Sequence, residues 1–538
     1  MALSKKNPTR QKSWSNLKDL YNQEKNLHIN DYFNSEKNRL EKFTASFDDL
    51  YVDFSKNRIS KEAFDLLIEL CKETDLKENI DKYFNGSTIN ETENRSVLHT
   101  ALRSKNNDST EISEEVKNTL SKIRTISDEI NSGIRLGHSG KKIENVVNIG
   151  IGGSHLGPEM VTEALSFYSQ GIKPYFISNI DPDYTENILK SLNPDTTIFI
   201  IVSKTFTTIE TLENAKKVRK WFVKNVNEES IKNHFIAVSN NTEDPKEFGI
   251  ESENILSIPE WVGGRFSLWG SVGLIISICI GSKNFDDFLS GAKEMDLHFK
   301  ETPFEKNIPV VLALLSIWYN NFYKCETEAI LPYNQFLGKL PDYLQQASME
   351  SNGKNIDREG KRVDYETGTI IWGSTGTNAQ HAFFQLMHQG TKLIPADFIA
   401  FKEPLFDDIE QHKILTSNFL AQTNALLAGN IKSGNEIQKN IDGNKPSNTI
   451  LINKLTPNNL GSLIAMYESK IFVVGSILNI YSFDQWGVEL GKSIAKQILN
   501  NGKSKLDESS SQTYDCLLYT SDDADDTPCV DLGGRRII

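Results

Sequence analysis

Glu350 is the residue from which a chemistry can be built. It sits in QQASMESNGK, residues 345–354, with Gln346 one turn earlier. Three other islands carry groups able to work with a carboxylate. Arg265 lies in VGGRFSLWGSVGL (262–274), His381 lies in GTNAQHAFFQLMHQG (376–390), and Lys492 closes FDQWGVELGK (483–492). Glutamate, histidine and lysine act as general acids and bases, and an arginine offers fixed positive charge to an oxyanion. Each also has an ordinary reading. A glutamate on a surface helix is usually solvated, an arginine in a glycine-tight bend pairs by default with a carboxylate, and a lysine in a last helical turn normally snorkels. Met349 beside Glu350, and Asn352-Gly353 just after it, mark a sharp helix end that can present the carboxylate at a cleft. His381 and His388 are two helical turns apart, so both can share a face, and a histidine there is more often a core residue than a catalyst.

The second kind of signal is a pair of anion-binding turns. SKTFTT, residues 203–208, follows the apolar run TIFIIV and precedes the helical pattern IETLENAKKVRKWF. That places Ser203, Thr205, Thr207 and Thr208 at the carboxyl end of a strand, where open α/β sheets bind ligands. Their hydroxyls, with helix N-terminal amides and the charge of Lys204, can surround a phosphate. Ser and Thr are also ordinary helix caps, but four hydroxyls in six residues exceed what capping needs. The other turn is GGSHLGP after VVNIGI, in which Gly152 and Gly153 would let amides approach an anion and Ser154 would donate a hydrogen bond. A dinucleotide fingerprint would need glycine where His155 stands, and the Gly-Lys pair of a phosphate-binding P-loop is absent. Alone, this turn is as readily structural as functional.

Taken together and in this order, from about Glu93 to about Gly502, the islands resemble the glucose-6-phosphate isomerase (phosphoglucose isomerase) family of sugar-isomerase domain proteins. The resemblance implies that Glu350 is the proton-transfer base, with Gln346 binding substrate and Arg265 facing the enediolate. It also implies that His381, with Lys492, opens the sugar ring, leaving His388 a structural neighbour. Gly153, Ser154, Ser203, Lys204, Thr205, Thr207 and Thr208 would bind the substrate. The implied activity is the aldose–ketose interconversion of glucose 6-phosphate and fructose 6-phosphate through a cis-enediol, in glycolysis and gluconeogenesis. A cytosolic homodimer, with His381 entering the partner's site and no cofactor, is implied as well. Gly270 departs from the family's usual Ser, Thr or Ala, which touches helix packing more than chemistry. A dual phosphoglucose/phosphomannose isomerase would use the same groups with a looser C2 pocket. A silent sugar-phosphate sensor would have lost Glu350 or His381, and both are present.

These groups must be positioned by a large scaffold. The chain has 538 residues, long enough for three or so units. Lys and Arg total 59 against 72 Asp and Glu, a net charge of −13, which argues against nucleic acid or an anionic membrane as partner. The basic N-terminus is followed by no apolar run of signal-peptide type. No stretch approaches the ~20 apolar residues of a membrane span, and the longest candidate, near Leu274 to Ile280, is a core segment. The five cysteines form no CxxC pair and the nine histidines no close ligand pair, so reduced thiols and no metal are expected.

Residues 1–110 show amphipathic helices, such as Ile59 to Glu73 with Ala63, Leu66, Leu67 and Leu70 in register. From Val146 short apolar strands alternate with helices, and a second alternating region starts near Ile308. The expected fold is α/β: two tandem doubly wound parallel-sheet sugar-isomerase domains at 111–285 and 286–505, behind the helical region. A long helix is expected from Asp484 to Leu499, and a surface loop at 434–446. The tail 506–538 is expected to be non-native after 514, where an acidic run with two cysteines lacks any period.

Overall fold

A computed structural model describes residues 2–104, 110–431, 436–502 and 506–518. Two compact units are present, Met1–Phe483 and Asp484–Ile538. The first holds two sheets. Their strands are β1 (Thr44–Phe47), β2 (Leu50–Asp53), β3 (Asn145–Ile149), β4 (Lys173–Ile177), β5 (Thr197–Val202), β6 (Phe235–Val238), β7 (Ile255–Leu256), β8 (Thr327–Pro332), β9 (Ile370–Gly373), β10 (Ala396–Phe401) and β11 (Ser447–Ile452). One sheet runs β4-β3-β5-β6-β7 and is parallel throughout. The other runs β1-β2-β11-β10-β8-β9.

The side-chain period of two along each strand explains why both sheets are covered on both faces. In the first sheet Val146, Ile198, Ile200, Val202, Ile236 and Val238 enter a large central core, while Val147, Phe199, Ile201 and Phe235 enter a smaller one on the opposite face. In the second, Ile330, Ile399, Phe401, Ile450 and Ile452 enter the same central core, and Leu331, Phe398 and Ala400 enter a third cluster. The two doubly wound sheets therefore share one interior. Strands buried on both faces are continuous apolar runs, which is why TIFIIV and VVNIGI stand out in the sequence.

Three features differ from the sequence expectation. The N-terminal region is not helical throughout, because β1 and β2 form a hairpin that adds to the second sheet, with β2 antiparallel to β11. Two four-residue strands give too short a period to be seen among helices. Among the described residues the longest apolar helix is Pro457–Ile477, not the segment near Leu274. It is long and apolar enough to cross a membrane, with mean hydropathy 1.3, yet 94% of that window is buried inside the fold. It crosses the helix Ser282–Glu301 so closely that a Cβ on Gly461 would lie 2.0 Å from the Phe288 carbonyl oxygen. One on Gly291 would lie 1.8 Å from that of Asn458.

The third difference is in the second unit, where the expected helix starts later and runs Glu489–Asn501 after a short turn at Trp486–Val488. Another helix, Glu508–Leu518, continues past Tyr514. The rest of the tail, 519–538, lies outside the described residues. Of the expected loop at 434–446, residues 434 and 435 lie outside them as well, and the remainder carries one short turn, Ile437–Lys439.

Three buried histidines give the fold a pH dependence. Burial holds His99 well below its normal range and lowers His234 against the opposing pull of the Thr197 carbonyl. His298 is pushed down to about 4 by burial. Its Nε2 accepts the Ile308 N–H at 3.1 Å and its Nδ1 is bonded to the Thr302 hydroxyl at 3.0 Å, so protonation would break the first bond. The folded state keeps these rings neutral while the unfolded chain protonates below pH ~6.5. Their contribution is full above that pH and is lost as pH falls toward 4. Urea unfolding of His298→Gln from pH 7 to 4.5 is expected to show a flatter loss of stability than the parent, by up to ~1.4 kcal/mol per pH unit. Parallel curves would show that His298 does not titrate on unfolding.

Candidate active site

Strand β3 continues to β4 on one side, while β5 lies on its other side. That reversal of direction is the topological switch point of the first sheet, and the loops leaving β3 and β5 flank the crevice that such sheets use for ligands. They are the glycine turn and SKTFTT.

The hydroxyl loop has an internal order. The Ser203 N–H donates to the Val238 carbonyl at 3.0 Å, and its buried hydroxyl donates to Thr208 Oγ1 at 3.2 Å. Thr205 and Thr207 share a hydrogen bond of 2.6 Å. Thr208 precedes the helix Ile209–Asn225 but makes no side-chain capping bond. A helix start without a cap keeps its first-turn N–H groups available to an anion. Lys204 turns elsewhere. Its ammonium donates to the carbonyls of Glu260 at 3.2 Å and Val262 at 3.3 Å, and lies 3.5 Å from the Glu260 carboxylate. Burial lowers its pKa.

The glycine turn does a second job that spacing does not reveal. Gly152 has φ +61°, a left-handed conformation suited to glycine. A Cβ on Gly153 would lie 2.2 Å from the Gly264 carbonyl carbon and 2.7 Å from the Arg265 nitrogen. Gly153 is thus the contact that lets the Arg265 bend pack onto the turn after β3. A Cβ on Gly152 would lie 3.1 Å from Gln346 Nε2, so Gln346 borders the same turn. Ser154, half-buried, accepts Asn148 Nδ2 at its carbonyl at 2.9 Å.

Arg265 is 4% exposed. Its Nε donates to Ser351 Oγ at 2.7 Å and its Nη2 to the Ser482 carbonyl at 2.6 Å, while Nη1 lies 3.5 Å from Glu350 Oε2. Glu350 ends a π-helical turn, Gln345–Glu350, that follows the short helix Leu340–Leu344. Such widened turns are rare and often mark functional sites. The segment just after Glu350 is pinned. Asn352 donates to the Ile471 carbonyl at 3.0 Å and accepts from Ser482 Oγ at 2.8 Å. The Lys354 ammonium caps the carbonyls of Glu350 and Ser351 at 3.2 and 2.9 Å and reaches that of Tyr481 at 2.8 Å. Ser351, Lys354 and Ser482 are supporting residues that the sequence does not single out, and Asn352, which it marks only as a helix end, supports the site as well. Ser351, Asn352 and Lys354 stand in the motif itself, but each has a partner far away in sequence: Arg265 for Ser351, Ile471 for Asn352 and Tyr481 for Lys354.

His381 is exposed on the helix Gly376–Ala382 and hydrogen-bonds none of the other candidate residues. Its neighbour Gln380 donates to the Tyr333 hydroxyl at 3.0 Å. His388 is half-buried and bonded to Gln422 at 2.8 Å. Lys492 belongs to the second unit, where its exposed ammonium pairs with Glu489 at 2.9 Å. The structure thus brings together Arg265, Glu350, Gly153 and Gln346, and separately the hydroxyls of 203–208.

A model of the family described as phosphoglucose isomerase matches residues 53–516. The chain belongs to the phosphoglucose isomerase family. A glucose-6-phosphate isomerase from Christiangramia forsetii is 53% identical over 534 residues, covering 95% of this chain and 98% of the relative. One from Buchnera aphidicola subsp. Schizaphis graminum is 49% identical, covering 94% and 95%. The crystal structure of a glucose-6-phosphate isomerase from Chlamydia trachomatis superimposes with TM-score 0.86 at 29% identity, covering 95% of this chain and all of that one.

Because Gly153 sets the approach of the Arg265 bend, Gly153→Ala is expected to displace Arg265 from Glu350. In a coupled assay of fructose 6-phosphate conversion kcat should fall at least tenfold, a barrier increase of ~1.4 kcal/mol or more. Turnover within twofold of the parent would show that the bend tolerates the added methyl.

Proposed function

We propose that this site moves a proton between C1 and C2 of an opened hexose phosphate, with Glu350 as the base. The activity is the reversible aldose–ketose isomerisation of glucose 6-phosphate and fructose 6-phosphate, the reaction named for relatives at 53% and 49% identity. The observation that carries the assignment is the placement of Glu350 at the end of a π turn, 3.5 Å from a buried arginine. Glu350 takes the proton from C2, and the electron pair moves into the C1 carbonyl to give a cis-enediolate. The hydroxyl proton on O2 passes to O1, and the same carboxyl returns its proton to C1 as the carbonyl forms at C2. Arg265, fixed by Ser351 and the Ser482 carbonyl, stabilises the oxyanion without reorganising at the moment of reaction. The uncapped helix start after Thr208, the hydroxyls of Ser203, Thr205, Thr207 and Thr208, and Ser154 on the neighbouring turn hold the phosphate. Lys204 braces that loop and adds positive charge beside it, while Gln346 and Gly153 complete the wall. Remote binding of the phosphate fixes the register of the reacting carbons.

Ring opening falls to His381 with Lys492, which move a proton between the ring oxygen and the anomeric hydroxyl. His381 makes no bond to Glu350 or Arg265 within its own chain and is exposed, which supports its serving the site of a second copy. Exposed apolar residues at Phe406, Ile409, Ile414 and Leu420, on and beside the helix Ile409–Ala428, support a homodimer. In this reading the first α/β domain, 111–285, supplies the phosphate loops and Arg265, and the second, 286–505, supplies Glu350 and His381. The protein acts in the cytoplasm, in glycolysis and gluconeogenesis.

Glu350→Gln keeps the shape and loses the base. It is expected to fold with unchanged inorganic phosphate affinity and to lose roughly 10²–10⁴-fold in turnover. More than a tenth of parental turnover would remove Glu350 from the role. His381→Ala should likewise be inactive on cyclic substrate. Mixing it with Glu350→Gln under subunit exchange should restore activity in heterodimers, since one of the two shared sites is then intact. No recovery under proven exchange would place each site within one chain.

A further inference from the structure

Phe206 sits in the middle of the hydroxyl loop with φ +56°, in the left-handed region that residues with bulky side chains avoid. Glycine would adopt this backbone without strain. The phenyl ring is instead driven inward. Phe206 is 3% exposed and belongs to the core cluster of Phe199, Phe222, Phe235 and Ile250, with its ring 6.2 Å from that of Phe248. Strained residues persist only where their surroundings over-determine them, and they gather at functional sites.

The bend has a measurable effect on its neighbours. Alternate residues of an extended strand share a face but stand roughly 6–7 Å apart. Thr205 and Thr207 flank Phe206, are both exposed, and have their hydroxyls 2.6 Å apart. The turn is closed by the Phe206 N–H donating to the Ser203 carbonyl at 3.1 Å. One ring goes into the core and two hydroxyls converge on the outside.

We propose that Phe206 is a positioning residue for the phosphate group: its buried ring holds the loop in the left-handed bend that aims Thr205 and Thr207 at one point. This rests on the reading of 203–208 as the phosphate site. Without the anchor the loop relaxes toward extended backbone, the hydroxyl pair separates, and phosphate affinity falls while the reacting groups at Glu350 and Arg265 stay in place.

The test uses Phe206→Ala, which removes the ring, and Phe206→Leu, which refills its seat. For Phe206→Ala, KM for fructose 6-phosphate and the calorimetric Kd for inorganic phosphate are expected to rise at least tenfold, with kcat changed less than threefold. Inhibition by an unphosphorylated hexitol should stay within twofold. Phe206→Leu should recover most of the phosphate affinity. Phosphate affinity unchanged in Phe206→Ala, or phosphate and hexitol affinities falling together, would overturn the proposal. If Phe206→Ala does not fold, Phe248→Ala removes one wall of the seat and is held to the same two readouts. Calorimetry with inorganic phosphate needs no turnover. An inactive parent that still binds phosphate would therefore count against the isomerase reading, and a parent that binds none would count against this proposal.

Discussion

A guanidinium shut away from water needs acceptors on every side, because an unpaired buried cation costs several kcal/mol. Arg265 meets that need from residues remote in sequence: the Ser351 hydroxyl, the Ser482 carbonyl and the Glu350 carboxylate. Solvating one side chain thereby ties the bend at 262–265, the end of the π turn and the last residues of the first unit into one assembly. Gly153 completes it from the first sheet, where only a hydrogen fits against Gly264. The contacts that solvate this charge are the ones that fix the geometry of the bend and the π turn.

The scaffold follows from a simpler constraint. A parallel sheet must be covered on both faces, and here two sheets turn one face each toward a single interior. The outer faces are closed by separate small clusters. Both switch-point loops of the first sheet leave neighbouring strands, β3 and β5, so the turn that seats Arg265 and the turn that offers hydroxyls are adjacent by topology.

Local signals are what the sequence displays well. TIFIIV, VVNIGI and the helix Lys61–Glu73 are legible because burial on both faces, or on one stripe, leaves a continuous or 3.6-residue pattern in the chain itself. SKTFTT and QQASMESNGK are legible because unusual residue types crowd into a few positions. What stays hidden depends on partners far away. Nothing in GGSHLGP shows that Gly153 must make room for Gly264. The π turn leaves no periodic trace over six residues. The hairpin β1–β2 is too short to stand out, and Pro457–Ile477 is masked by the Ser, Asn, Glu and Lys that it buries along with its apolar residues. Lys204 shows the limit from the other side, since its position in the loop suggests a phosphate contact while its ammonium lies on the carbonyls of Glu260 and Val262.

The helix Pro457–Ile477 has a consequence in time. During synthesis the chain emerges from its N-terminus, so both faces of the common interior exist before the helix that fills it is made. Until then the helix Ser282–Glu301 presents Gly291 and Phe288 to an empty groove, which the late helix meets at backbone distance. The interior cannot close until the chain through Ile477 has left the ribosome. The segment that closes it is apolar enough, at mean hydropathy 1.3, to be mistaken for a membrane span. A nascent chain of this protein thus holds an uncovered apolar interior until the helix Pro457–Ile477 is added to it.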